Sequence, residues 1–141
     1  MARLDLNRDT LPALTARVDA LTADAQRRWG TLSLPDMLRH LRIGLEMSLE
    51  EDGAEMEPFP LPRSLAYYLF FVLFTKWPGG RIKAPGRLTP PAEDDFETER
   101  ARLREAMQSF VQALEADPAR KTTNVLLGRI PLRRWARVHG V

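Results

Sequence analysis

Cysteine is absent from this 141-residue chain, and histidine occurs only twice. The first absence removes disulfides, thiolate metal sites and cysteine nucleophiles together. The scarcity of histidine confines any imidazole chemistry, whether a metal site or a Ser-His-Asp relay, to His40 and His139. Long apolar runs are missing as well. The longest, Leu65 to Phe74, falls well short of the roughly 20 residues that cross a bilayer, so no membrane span is expected. The N-terminal Met1-Ala2-Arg3-Leu4-Asp5-Leu6 lacks the apolar core of a signal peptide, which makes the cytoplasm the expected location.

The bulk composition, 44% hydrophobic and 28% charged with a net charge of +2, is that of an ordinary globular protein. A single domain over residues 1–141 is expected, long enough to bury roughly 68% of its unfolded surface. Charge is unevenly placed. Six acids and no base lie between Glu46 and Glu57, and six bases and no acid from Arg120 onward (Arg120, Lys121, Arg129, Arg133, Arg134, Arg137). The basic tail reads either as an anion or nucleic-acid patch or as the solvated face of a short helix. No aromatic ladder interleaves with it, so nucleic acid is not the expected partner.

Hydrophobic spacing predicts four helices and a short fifth. The first spans about Thr10 to Arg28, with Leu11, Leu14, Val18 and Leu21 in step and Gly30 closing it. Ser33 starts the second: Pro35 lies in its first turn and Asp36 stands where a capping box places its acid. Leu34, Met37, Leu38, Leu41, Leu45 and Leu49 form its apolar stripe, and His40 falls on the margin, next to Gly44 and Met47. The third helix, Ser64 to Trp77, is the most apolar and is expected in the core or at a dimer surface. Residues Pro78 to Pro91 read as loop; Gly79-Gly80-Arg81 with Lys83 is a poor match to a phosphate cradle, having no GxxxxGK[ST] pattern. Phe96, Arg100, Leu103, Met107, Phe110, Val111 and Leu114 mark the fourth helix, from about Asp94 to Ala116, with acids at its start as the helix dipole favours. Pro131 opens the fifth, with Leu132, Trp135 and Val138 on one face. No segment reads as a strand. The expected fold is therefore all-α, a four-helix bundle with a short additional C-terminal helix.

Chemistry is thinly provided. No serine sits in a nucleophile-elbow glycine pattern, and carboxylates in a loop hold no fixed separation. Asp36 lies one turn from His40 and can supply an oxygen beside it, whereas Glu46 points elsewhere. His139 lies near the end of the chain, where helices fray.

Arg28-Trp29-Gly30, then Pro35-Asp36-Met37-Leu38-Arg39-His40-Leu41, then Lys76-Trp77-Pro78-Gly79-Gly80 and Leu127-Gly128-Arg129-Ile130-Pro131-Leu132-Arg133-Arg134-Trp135 recur in an order and spacing similar to the DUF1569 group of the DinB-like four-helix-bundle superfamily. That resemblance covers nearly the whole chain. It implies a divalent metal of the zinc, nickel or iron type held by three histidines, one on the second helix and an H-x-x-x-H pair on the last. His40 matches the first, and the pair has no counterpart, as if the closing helix were cut short; His139 does not match its position. The expected function is thus that of a protein resembling metal-dependent thiol transferases or hydrolases, with a small-molecule or thiol substrate and a metal weakly held or lost. The alternative is a non-catalytic helical domain that binds an apolar small molecule or forms a homodimer.

Overall fold

The computed structural model describes residues 4–28, 30–50, 58, 60–73 and 86–140. Along these residues run α1 (Leu11–Asp19), α2 (Leu34–Met47), α3 (Arg63–Tyr68), α4 (Phe96–Ala116), β1 (Lys121–Asn124), β2 (Gly128–Pro131) and α5 (Leu132–His139). Three readings of the sequence lie outside them: Trp29, the acids from Glu51 to Glu57, and the stretch from Phe74 to Pro85 with its glycine pair.

The all-α expectation is overturned by an antiparallel hairpin, which makes the protein mixed α and β. β1 pairs with β2 in the register Thr122↔Ile130 and Thr123↔Arg129. Thr122 and Thr123 carry branched Cβ atoms that suit extended backbone. Asn124 builds the turn: its Oδ1 accepts from the amides of Leu126 (2.9 Å) and Leu127 (3.0 Å), and Gly128 closes it at a φ of 81°, a conformation that favours glycine. Four-residue strands give almost no alternation to read, and the connecting Val125-Leu126-Leu127 is apolar where a turn is normally polar. The hairpin is pinned to the end of α2, where the fully buried Thr122 hydroxyl donates to the Ser48 carbonyl at 2.7 Å.

α4 is the spine. Asp95 caps it by accepting from the Thr98 amide at 2.8 Å, and Phe96, Leu103, Met107, Phe110, Val111 and Leu114 are buried along it as their spacing predicts. α2 packs lengthwise on α4, while α1 and α5 also lie against α4. Leu38 and Leu45 point inward from α2, but Leu41, placed in the same stripe by sequence, is 45% exposed. The adjacent inward position belongs to Arg42, which pairs with the fully buried Glu99 of α4. Arg100, also read as a stripe residue, instead leans over the Phe96 ring and donates to the carbonyls of Asp19 (3.3 Å) and Leu21 (3.1 Å).

α1 stops nine residues short of the predicted Arg28 end. Thr22 bonds the Asp24 carboxylate at 2.6 Å and the Ala25 amide turns back to the Thr22 carbonyl, a local pairing that competes with helix. α3 runs into a π-helical turn, Leu69–Leu73, which buries Phe70 and Phe71 and leaves Tyr68 and Val72 outside. The last helix does not fray. Leu6 donates its amide to Ala136 (2.8 Å) and Leu4 to Gly140 (3.1 Å), so an N-terminal segment satisfies carbonyls at the end of α5.

Candidate functional site

His40 stands on α2 about 160° around the helix from Arg42, the residue that pairs with Glu99 of α4. Its half-buried ring reaches the short 3₁₀ turn Gly86–Leu88, where Nδ1 lies 2.7 Å from the Leu88 carbonyl. A carbonyl only accepts, so Nδ1 carries the proton and the lone pair of the neutral tautomer falls on Nε2. That nitrogen has no hydrogen-bond partner and is not among the sealed, partnerless polar atoms of the described residues, so solvent reaches it. Ring orientation set by an Nδ1–H···O=C bond is the arrangement that metal-ligating imidazoles use.

One turn along the same face, Gly44 meets the other histidine. A Cβ on Gly44 would lie 3.8 Å from His139 Cε1. His139 stacks on Trp135 of its own helix, with ring centroids 5.4 Å apart and planes 13° from parallel, and turns its edge to Phe110 at 5.0 Å. Burial pushes its pKa down from 6.5 to about 3, which keeps the ring neutral. Its Nε2 and the Trp135 Nε1 are both buried without a hydrogen-bond partner, a defect worth about 1–3 kcal/mol for each atom. Both of the chain's imidazoles thus meet one side of α2 across 99 positions of sequence. Sequence reasoning missed the second because it treated the end of the chain as frayed. The legible signal was Trp135 and His139 at i, i+4, a spacing that stacks the two rings on one face of α5.

The other residues considered beside His40 have different work. Asp36 is fully engaged: Oδ2 takes the Ser33 hydroxyl at 2.6 Å and Oδ1 takes the Ala92 amide at 2.7 Å. The Ser33 hydroxyl first and the Ala92 amide second hold its carboxyl below the usual range. It tethers the segment before α4 to the start of α2, so it is not a spare oxygen donor. Glu46 faces away, as expected, and accepts from Arg42 at 2.9 and 3.1 Å. Arg42 also gives its Nε to Glu99 at 3.2 Å. Burial opposes the Arg42 charge, but the hydrogen bonds and charges of Glu46 and Glu99 outweigh it and hold the guanidinium above its ordinary value. Arg42 and Glu46 border an open groove of about 370 Å³ between α2 and α4, whose far wall carries Arg102, Glu105, Ala106 and Ser109.

The bases of the tail are used structurally where their partners are described. Arg120 donates to the Leu49 carbonyl at 2.7 Å, Arg129 to that of Lys121 at 3.1 Å, and Arg134 lies over Tyr67 and Phe71. Among the described residues no three histidine, aspartate or glutamate side chains stand close enough to hold a metal ion, and no helix is long and apolar enough to cross a membrane. His40 is therefore oriented like a ligand, while the three-donor centre implied by the resemblance does not assemble from the residues described.

No curated protein and no solved structure matches this sequence. A family model does, that of the protein of unknown function DUF1569, and since its match takes in residues 1–141, the helices, hairpin and both histidines included, the chain belongs to the DUF1569 family.

Proposed function

We propose that this DUF1569 protein is a DinB-like ligand-binding domain in which the His40 Nε2 lone pair makes a weak, exchangeable contact with a divalent cation. The observation that carries this reading is the Nδ1–H···O=C bond to Leu88, which fixes the tautomer and leaves the opposite nitrogen open to solvent. The resemblance to metal-dependent thiol transferases and hydrolases supports the choice of a cation. The donor count sets its strength. A catalytic zinc-type centre takes about three protein ligands, and one oriented imidazole gives only a loose contact. No catalytic step follows from it.

The test is titration calorimetry with zinc or nickel against the wild type and His40→Ala, with the fold checked by circular dichroism. Binding that disappears in the folded variant is the expected result. Equal heats from the two proteins, or none from either, end the proposal.

A second reading, self-association or docking of an apolar molecule without catalysis, rests on a different surface. Leu65, Tyr68 and Val72 are exposed at steps of three and four along α3 and its π-helical turn, and Leu61, just before α3, is exposed as well. Sedimentation at tens of micromolar distinguishes dimer from monomer, and Val72→Glu is expected to dissociate any dimer formed there. A wild-type monomer removes the dimer and leaves only the small-molecule form, which a fluorescent apolar probe tests.

A further inference from the structure

Seven of the described arginines are half-buried. Arg39, Arg42 and Arg104 pair with carboxylates, Arg100 and Arg120 give nitrogens to carbonyls, and Arg137 is engaged as well. Arg134 is the exception. Its guanidinium makes no hydrogen bond and no ion pair, and none of its nitrogens is among the buried, partnerless polar atoms, so water reaches them. What it touches is aromatic. It lies 5.7 Å from the Tyr67 centroid and 5.3 Å from that of Phe71, rings themselves 4.6 Å apart, so the cation caps the pair. Ring faces hold a guanidinium in place without satisfying its N–H donors as an oxygen would.

Neither element that meets at this point supplies an anion. Residues 61–73, which carry α3 and its π-helical turn, contain Arg63 and no acid; residues 118–140, which carry the hairpin and α5, contain six bases and no acid. Apolar surface adjoins the cation. Tyr68 and Val72 directly follow Tyr67 and Phe71 in the chain, one position further around the element, and with Leu65 they are exposed.

We propose that this seam of α3 and α5 binds a monomeric amphiphile with one carboxylate, its head on Arg134 and its apolar tail along Leu65, Tyr68 and Val72. The inference rests on the second reading above and selects its small-molecule form. A second copy is the poorer occupant, because a two-fold contact sets a surface against itself, and this one is basic with no carboxylate to answer. A neutral apolar molecule leaves the guanidinium unmatched. A carboxylate meets its fork with two oxygens, and one negative charge balances the one unpaired cation.

Chemical-shift titration of the intact ¹⁵N-labelled chain tests it, with octanoate as the probe and octanol and acetate as its two partial mimics. Octanoate is expected to saturate one site, to shift the amides of Tyr68 and Val72 and the side chain of Arg134, and to bind about tenfold tighter than octanol. Decanoate is expected to bind tighter still, by up to about fourfold for each added methylene. Acetate, without the tail, is expected not to saturate.

Arg134→Gln is expected to lower octanoate to the affinity of octanol. Arg133→Gln, which removes the same charge from an exposed neighbour, is expected to leave it within about twofold, with both folds checked by circular dichroism. The wild-type comparison of octanoate with octanol stands whether or not either variant folds. Equal binding of those two overturns the carboxylate and leaves apolar docking intact, whereas binding of neither ends both. Acetate binding as tightly as octanoate makes this a bare anion site and overturns the amphiphile. Equal losses in the two variants show diffuse attraction and remove the role given to Arg134.

Discussion

Arg42 and Gly44 stand two residues apart on α2 and about 160° apart around it, and the polar atoms they face are buried under opposite conditions. Toward α4, Arg42 is clamped by Glu46 and the fully buried Glu99, so full charges are sunk into the interface and matched against each other. Toward α5, Gly44 faces the uncharged imidazole of His139, whose Nε2 is buried and has no protein partner. A buried charge cannot survive unmatched, because its desolvation exceeds what a small domain can offset. Neutral polar groups cost far less, so a fold can tolerate them where packing requires it. The contrast separates a seam built on matched charges from one built on packed aromatic rings.

The largest expected effect comes from breaking the charged seam on one side only. Glu99→Ala leaves Arg42 mostly buried with only the half-exposed Glu46 for company, and urea denaturation is expected to show a loss of about 3 kcal/mol. Replacing both partners together, Arg42→Met with Glu99→Leu, is expected to fall within about 1 kcal/mol of wild type, since no charge is then stranded. A single variant as stable as the double one contradicts the clamp.

A slightly smaller effect is expected on the other seam from Gly140→Ala. A Cβ at Gly140 would lie 1.5 Å from the Leu4 carbonyl oxygen and 2.7 Å from Asp5 Cα, both backbone atoms that cannot step aside. The N-terminal segment must lift, exposing Leu6, which is 1% accessible, and freeing the end of α5 that carries His139. Loss of that buried leucine is worth about 2–3 kcal/mol. Hydrogen exchange is expected to rise in α5 and stay unchanged in the α2–α4 interface; equal rises in both show that the seams are one cooperative unit.

How much of this was legible in the sequence depended on the range of the forces involved. α4 was readable almost to the residue, because its cap at Asp95 and its apolar steps from Phe96 to Leu114 are local properties of the chain. Ser33 and Asp36 marked the start of α2 for the same reason. The hairpin was not readable, since its four-residue strands carry little local pattern and Thr122 anchors it through Ser48, 74 positions away. Arg42 was missed because the sequence gives no sign that a cation will turn inward until Glu99 is placed opposite it. His40 was picked out through its position on the helix margin, but its tautomer depends on Leu88, 48 residues on. The importance of His139 depends on Gly44 and on the N-terminal tether, contacts that no local pattern encodes.

The pH dependence of stability sharpens the comparison on the neutral side. His139 titrates near 6.5 when unfolded and at about 3 when folded, so between these values the unfolded state binds more protons. Stability is therefore full above about pH 6.5 and falls as the pH drops toward 3, by about 1.4 kcal/mol for each unit within the window. Asp24, Asp36 and Asp95, whose carboxyls are held low by hydrogen bonds, act in the same direction but only below their ordinary value of 3.8. Denaturation midpoints from pH 7 to 4.5 are expected to slope in the wild type and to flatten in His139→Phe. An unchanged slope in that variant places the titrating group elsewhere.

The smallest effect tests whether charge pairing or burial gives the Arg42 seam its weight. Arg104 and Asp19 join α4 to α1 at 2.9 Å, a shorter contact than the 3.2 Å between Arg42 and Glu99, yet their side chains are 39% and 43% exposed. Water already solvates both ions there, and salt screens what attraction remains. Arg104→Ala is expected to cost no more than about 0.5 kcal/mol, and raising the salt to 1 M should erase even that, whereas the cost of Glu99→Ala should persist. Should Arg104→Ala instead destabilise as much as Glu99→Ala, distance alone would set the strength of these pairs, and the distinction between the two sides of α2 would lose its physical basis.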